Sequence, residues 1–203
     1  LGTFDPTNAG VGTHTITYTY NVGSCTDMAT IDMVVNDLPG VSISAVGPFC
    51  VDASSTTLMA SPLGGTFSGM GITDAAAGTF DPSIAGVGTH TINYNFTDGN
   101  ACTNTASTDI IVNDLPTGSI TAAGPFCESD AAVNLVANPS GGTFSGTGIT
   151  DALLGTFDPA TAGVGTHTIS YSFVDGNACS NTISTDFVVD TTPVASLNVA
   201  GPF

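Results

Sequence analysis

The feature that most constrains the fold is repetition at a fixed interval. The string GTFDP begins at Gly2, Gly78 and Gly155, offsets of 76 and 77 residues, and AGVGTHTI follows at Ala9, Ala85 and Ala162 with the same two offsets. GPFC occurs at Gly47 to Cys50 and at Gly124 to Cys127, and Gly201-Pro202-Phe203 begins a third copy. Self-similarity at this period makes each repeat one structural unit, so the chain reads as a stretch of a tandem array. The runs Asn36-Asp37-Leu38-Pro39 and Asn113-Asp114-Leu115-Pro116, with Asp190-Thr191-Thr192-Pro193 in third place, hold the prolines that interrupt a ladder. They set the expected boundaries: the C-terminal half of a repeat over 1–37, complete repeats over 38–114 and 115–190, and the first strand of a further repeat over 191–203.

Within a repeat the apolar period is two. In Thr166-His167-Thr168-Ile169-Ser170-Tyr171-Ser172-Phe173 one parity is His, Ile, Tyr, Phe and the other Thr and Ser, the pattern of a half-buried antiparallel strand. His90, Ile92, Tyr94, Phe96 and His14, Ile16, Tyr18, Tyr20 repeat it. Asp98-Gly99-Asn100 and Asp175-Gly176-Asn177 then predict hairpin turns, followed by strands such as 179–189. Shorter strands are expected over 119–122, 132–137 and 142–145, and the last over 196–199. No stretch of ten residues carries a 3.6 period. Many short strands between Gly, Pro and Asp turns indicate an all-β sandwich.

Charge then removes function classes. The chain has no Lys and no Arg, 17 acidic residues of which Glu128 is the single Glu, 3 His, and a formal charge of -17. Phosphate neutralisation needs cations, so nucleic acid is excluded as a partner. Phosphoryl transfer and Schiff-base chemistry fall with it, as does isopeptide cross-linking through Lys. At 41% hydrophobic residues the chain is a folding sequence. No apolar run approaches the roughly 20 residues that span a bilayer, so no membrane insertion of this segment is expected.

The order of motifs (SI-x-A, GPFC, GGTFSG-x-GI, GTFDP, AGVGTHTI-x-Y-x-F, DGNAC) resembles the Ig-like or PKD-like tandem repeats of large Bacteroidota surface adhesins, over essentially the whole chain. The resemblance implies Ig-like antiparallel β-sandwich domains in a linear array, export by the type IX secretion system, an extracellular, cell-surface setting, and a stalk or fibre role, in some cases in gliding motility. Its partners would be neighbouring repeats or other copies of the chain. AGVGTHT resembles the turn into strand F of Ig folds, where a Tyr commonly sits; here His14, His90 and His167 take that place.

Five cysteines in such a chain predict disulfides. Cys50 and Cys102 lie 52 residues apart, as do Cys127 and Cys179, and Cys25 is equivalent to Cys102 and Cys179, its partner expected upstream. If the first strand is short or displaced, Cys50–Cys102 and Cys127–Cys179 close within repeats, the favoured reading. If it is complete, the two cysteines of one repeat lie at opposite ends and Cys50 reaches Cys179 of the next. No Cys-x-x-Cys or zinc spacing occurs. No Gly-x-Ser-x-Gly elbow is present either, and no enzyme is expected. Asp37, Asp98, Asn100, Asp114, Asp175 and Asn177 recur in register at linkers and hairpin tips, and they are the candidate ligands for calcium, which takes six to eight oxygens. The pairs Asp74/Asp81 and Asp151/Asp158 read as turn caps. A carbohydrate-binding module is the weaker alternative, since Trp is absent and the aromatics fall on core parity.

Overall fold

A computed structural model describes residues 2–121 and 123–197. In chain order it begins with a single helical turn α1 (Pro6–Ala9), a long hairpin of β1 (Gly12–Val22) and β2 (Cys25–Val35), and the short strands β3 (Ser42–Ile43) and β4 (Phe49–Cys50). Next come β5 (Thr56–Thr57), β6 (Ala60–Ser61), β7 (Thr66–Ser68), β8 (Ile72–Asp74), β9 (Thr79–Phe80), the turn α2 (Pro82–Ala85), β10 (Gly88–Thr97) and β11 (Thr103–Asn113). The same succession recurs as β12 (Ser119–Ile120), β13 (Phe126–Cys127), β14 (Val133–Asn134), β15 (Ala137–Asn138), β16 (Thr143–Ser145), β17 (Ile149–Asp151), β18 (Thr156–Phe157), α3 (Pro159–Ala162), β19 (Gly165–Val174) and β20 (Ser180–Asp190). The chain is all-β, as its period-two patterning requires. By contacts it divides into one unit of Leu1–Gly47 with Ala53–Val112 and another of Pro48–Asp52 with Asn113–Phe203.

The second unit is a sandwich of two main sheets, ordered β13-β20-β19-β16 and β14-β18-β17, with the small pair β12-β15. Parity along β19 places Ile169, Tyr171 and Phe173 in the core at 0, 1 and 3% exposure. Phe144, Phe187 and Val189 join them from the same sheet, and Phe157 and Leu135 close the core from the other side. Full burial of an aromatic or branched aliphatic side chain is worth roughly 1.5–3 kcal/mol, so these rings dominate cohesion. The ladder of β13 departs from the antiparallel expectation. β13 pairs parallel to β20, with Phe126 opposite Val189 and Cys127 opposite Asp190.

In the first unit β10 pairs antiparallel with β11 and with β7, and β9 pairs with β5 and β8. Leu58, Phe67, Phe80, Ile92, Tyr94, Ile110 and Val112 are its buried residues, each at a position equivalent to a core residue of the second unit. The β1–β2 hairpin keeps full register from Gly12↔Val35 to Val22↔Cys25, yet its Tyr18 and Ile31 are 66% exposed. Of the strand expected over 196–199, 196–197 have no regular structure and the rest lies outside the described residues.

The α2 and α3 turns follow from Asp-Pro. Proline fixes the first helical φ and has no N–H to satisfy, and the preceding Asp caps the turn: Asp81 Oδ1 accepts from the Ser83 N–H at 2.9 Å and Asp158 Oδ1 from that of Ala160 at 3.1 Å. Asp74 and Asp151 likewise each take two backbone N–H groups of their own loops.

Candidate functional site

Three recurrent constructions carry the chemistry that this chain has. The first is a tyrosine clamp. The Tyr171 hydroxyl donates to the Pro139 carbonyl at 2.7 Å and accepts from the Gly142 N–H at 2.7 Å; Tyr94 does the same with Pro62 at 2.6 Å and Gly65 at 2.7 Å. Glycine is required beneath the hydroxyl, because a Cβ on Gly142 would collide with the Ser172 carbonyl oxygen and the Tyr171 ring. The clamp partners are backbone groups about 30 residues upstream, which no local pattern announces. Ring packing completes it, Phe144 to Tyr171 at 4.6 Å between centroids.

The second construction gives the histidines a structural role. His167 Nε2 lies 2.7 Å from the Gly163 carbonyl and His90 Nε2 2.8 Å from that of Gly86, while His14 meets Gly10 at 2.8 Å. Each ring closes the turn into its long strand, at the place that a Tyr occupies in the Ig-like pattern. The clamping hydroxyl sits instead four residues on, at Tyr94 and Tyr171.

The third is the cysteine junction. Cys50 and Cys179 form a disulfide with Cα atoms 5.5 Å apart and a sequence separation of 129. Cys25, Cys102 and Cys127 are free thiols. The favoured Cys50–Cys102 and Cys127–Cys179 pairs are therefore not the ones formed, and the parallel pairing of β13 explains why. Cys127 stands opposite Asp190 at the end of β20, eleven residues beyond Cys179. At ~3.3 Å per residue that is roughly 36 Å along a strand, against the ~7 Å limit for bridged Cα atoms. Cys50 is placed alike, since the next residue, Val51, donates its N–H to the carbonyl of Asn113 at 2.9 Å, as Glu128 does to Asp190. A short first strand does not bring the corner back to the hairpin, because the corner cysteine is carried on its own parallel strand.

The hairpin tip is built to hold its cysteine. Asp175 Oδ1 accepts from the N–H groups of Asn177 at 2.8 Å and Cys179 at 2.9 Å, and the Asp175 N–H returns to the Cys179 carbonyl at 2.9 Å. The residue with left-handed backbone is Ala178, at φ 63°, and in the other turn Ala101 at 64°, rather than the Gly of the Asp-Gly-Asn motif. Such a φ is unusual for a residue with a Cβ.

The calcium candidates are not gathered into a cage. Asp98 and Asp175 face inward on their own turns, and Asp37 and Asp114 each accept from the next N–H, of Leu38 and Leu115. Asn100 and Asn177 give their backbone N–H groups to those turns. Among the described residues no three His, Cys, Asp or Glu come together to hold a metal. A cleft of about 470 Å³ is open and lined by Gly142, Thr143, Phe173, Asn181 and neighbours without an ionisable group.

These constructions define a class: β-sandwich repeats closed by backbone clamps, with a cystine between Cys50 and Cys179. No family model matches the chain, and no curated protein matches it. Among solved structures it is similar to a Ca2+-stabilised adhesin that helps an Antarctic bacterium reach out and bind ice, at 13% identity and a TM-score of 0.41, covering 90% of this chain and 58% of that one. It is also similar to mouse protocadherin-24 EC1-3, at 10% identity and a TM-score of 0.30, covering 90% of this chain and 80% of that one. A third is protocadherin gammaB7 EC3-6, at 12% identity and a TM-score of 0.30, covering 88% and 58%. Among the described residues no helix is long and apolar enough to cross a membrane.

Proposed function

We propose that the chain is part of the stalk or shaft of a very large secreted cell-surface adhesin or extracellular fibre, whose Ig-like repeats, 38–114 and 115–190, space a binding tip from the cell. The observation that carries this reading is the disulfide between Cys50 and Cys179, which ties the corner of one repeat to the hairpin of the next and makes mechanical continuity the property being built. Supporting it, the same clamp, turn closure and caps recur in both repeats. A shaft needs identical load-bearing units, whereas an enzyme does not need its whole site in every repeat. Export and surface attachment belong to this reading, as do a type IX route and a gliding role. Electron microscopy of the intact protein tests it: a thin beaded rod with one bead per repeat is expected, and a compact globule would overturn it.

A second reading is a filament in which copies join by strand addition. Concentration-dependent sedimentation under reducing conditions separates the two, because strand addition persists without disulfides.

A further inference from the structure

The bridge uses two of five cysteines, and the remaining three occupy the same two kinds of place. Cys127 repeats the setting of Cys50: a GPFC corner on a two-residue strand, followed by a residue whose N–H reaches the end of a long strand, Val51 to Asn113 and Glu128 to Asp190, each at 2.9 Å. Cys102 repeats the setting of Cys179: its N–H donates to Asp98 Oδ1 at 2.9 Å, the Asp98 N–H returns to the Cys102 carbonyl at 2.9 Å, and Ala101 takes the left-handed φ that Ala178 takes. Cys25 stands at the corresponding position of the first hairpin, exposed. The scaffold that brings Cys50 and Cys179 to 5.5 Å is therefore present in unpaired halves of both kinds, the corner of Cys127 and the hairpin of Cys102, with Cys25 at a further hairpin position.

We propose that Cys127 and Cys102 are complementary half-sites of a repeated inter-repeat bridge, Cys127 taking a hairpin cysteine and Cys102 a corner cysteine from another repeat of this type. For the 203-residue chain alone, that repeat belongs to a second copy. The proposal rests on the tandem-repeat reading above and extends it from one bridge to a ladder. The chemistry is thiol–disulfide exchange with a small-molecule disulfide, RSSR, such as oxidised glutathione. The Cys127 thiolate attacks one sulfur of RSSR, forming a mixed disulfide and releasing RS⁻. A hairpin thiolate of the second copy then attacks the Cys127 sulfur and releases the other RS⁻. One protein S–S bond forms, two thiol protons pass to the two RS⁻ leaving groups, and the two electrons reside in 2 RSH. Pairing should be selective for corner with hairpin, because only that combination has a built counterpart in Cys50–Cys179.

The test uses the whole chain as an equal mixture of ¹⁴N- and ¹⁵N-labelled copies in a glutathione redox buffer, read by non-reducing gel and by mass spectrometry after Asp-specific cleavage. Expected are oligomers whose Cys127 peptides are joined to Cys102 or Cys25 peptides with mixed labels, beside an unmixed Cys50–Cys179 peptide. Cys127→Ser should abolish the corner–hairpin oligomers and leave Cys50–Cys179 intact. Recovery of Cys127 only as a glutathione adduct, Cys127–Cys127 pairs as abundant as corner–hairpin pairs, or oligomers undiminished by Cys127→Ser would overturn the proposal. Failure here is distinguishable from failure of the shaft reading, since a beaded rod in the microscope does not depend on these two thiols.

Discussion

Substituting Tyr171 by Phe isolates the clamp, because it removes one oxygen and leaves the ring. Tyr171 is 1% exposed and its ring packs on Phe144 and Phe173; Phe keeps those contacts. The lost oxygen serves two backbone groups, the Pro139 carbonyl and the Gly142 N–H, both at 2.7 Å. A net hydrogen bond is worth about 1 kcal/mol and a stranded buried partner costs more. Gly142 and Pro139 are only partly buried, so water recovers some of that cost and the loss should be about 2 kcal/mol. For a domain of 60–100 residues each 1 kcal/mol moves Tm by about 4–8 °C, so the transition of this unit should fall by about 8–16 °C. Calorimetry measures it, and hydrogen exchange locates it: the Gly142 amide should lose protection. Tyr94→Phe should act alike on the first unit, and the two losses should add, as they do at sites without shared partners. A drop under about 2 °C, far below the 4–8 °C of a single net hydrogen bond, would refute the claim that the hydroxyl, rather than ring burial, closes the loop.

Breaking the staple should matter as much. Closing a loop of 129 residues corresponds to about 5 kcal/mol in the chain-entropy model, and Cys50→Ser should lower the urea midpoint; an unchanged midpoint would contradict a stabilising bridge. Ala178→Gly should relieve the left-handed φ of 63°, and since glycine gives back part of the gain in backbone entropy the net rise should be about 0.5 kcal/mol, visible as a Tm increase of a few degrees. The carboxyl of Asp81 is held below the usual carboxylate range chiefly by the Ser83 hydroxyl, which donates to it. A depressed folded pKa gives stability that is present above the unfolded value and lost as pH falls through the folded one, so an NMR titration should place its midpoint below that of an unperturbed Asp, and Ser83→Ala should raise it. Adding calcium in excess over EDTA should leave Tm within about a degree, because a ligand stabilises only through a site in the folded state; a large rise would show a cage.

Strand type and core were legible because parity is local. Ile169, Tyr171 and Phe173 are buried and Thr168 is not, as the alternation dictates. The repeat interval likewise foretold that Phe67 and Phe144, or Phe80 and Phe157, occupy equivalent core positions. The disulfide was not legible, because Cys50 sits on a two-residue corner strand, β4, and no periodicity shows where such a strand is carried, as the parallel pairing of its counterpart β13 with β20 illustrates. Spacing allowed both pairings, and the corner's position decided between them. The clamp escaped for a related reason: a tyrosine on core parity gives no sign that its hydroxyl has found a carbonyl 32 residues and an N–H 29 residues upstream. The calcium candidates were rightly seen as recurrent, but recurrence is also what turn-capping produces, and Asp98 and Asp175 spend their oxygens on their own hairpins.

A chain with no Lys or Arg and a charge of -17 must satisfy its carboxylates without cations, and the structure shows how. On the outer face of each long hairpin a Thr hydroxyl donates across the ladder to an Asp: Thr15 to Asp32 at 2.6 Å, Thr91 to Asp109 at 2.7 Å and Thr168 to Asp186 at 2.7 Å. Elsewhere backbone N–H groups do the same work at caps and turns. Hydrogen bonds to a charged acceptor are about twice as strong as neutral ones, and unlike ion pairs they leave the negative charge unneutralised. Each repeat therefore gains local rigidity from its acids while keeping the full repulsion between neighbouring chains. That repulsion opposes lateral aggregation of exposed β-hairpins, which otherwise invite pairing edge to edge. Against that background of like charge, a covalent bond such as Cys50–Cys179 supplies cohesion that no ion pair between Lys or Arg and a carboxylate can supply in this chain.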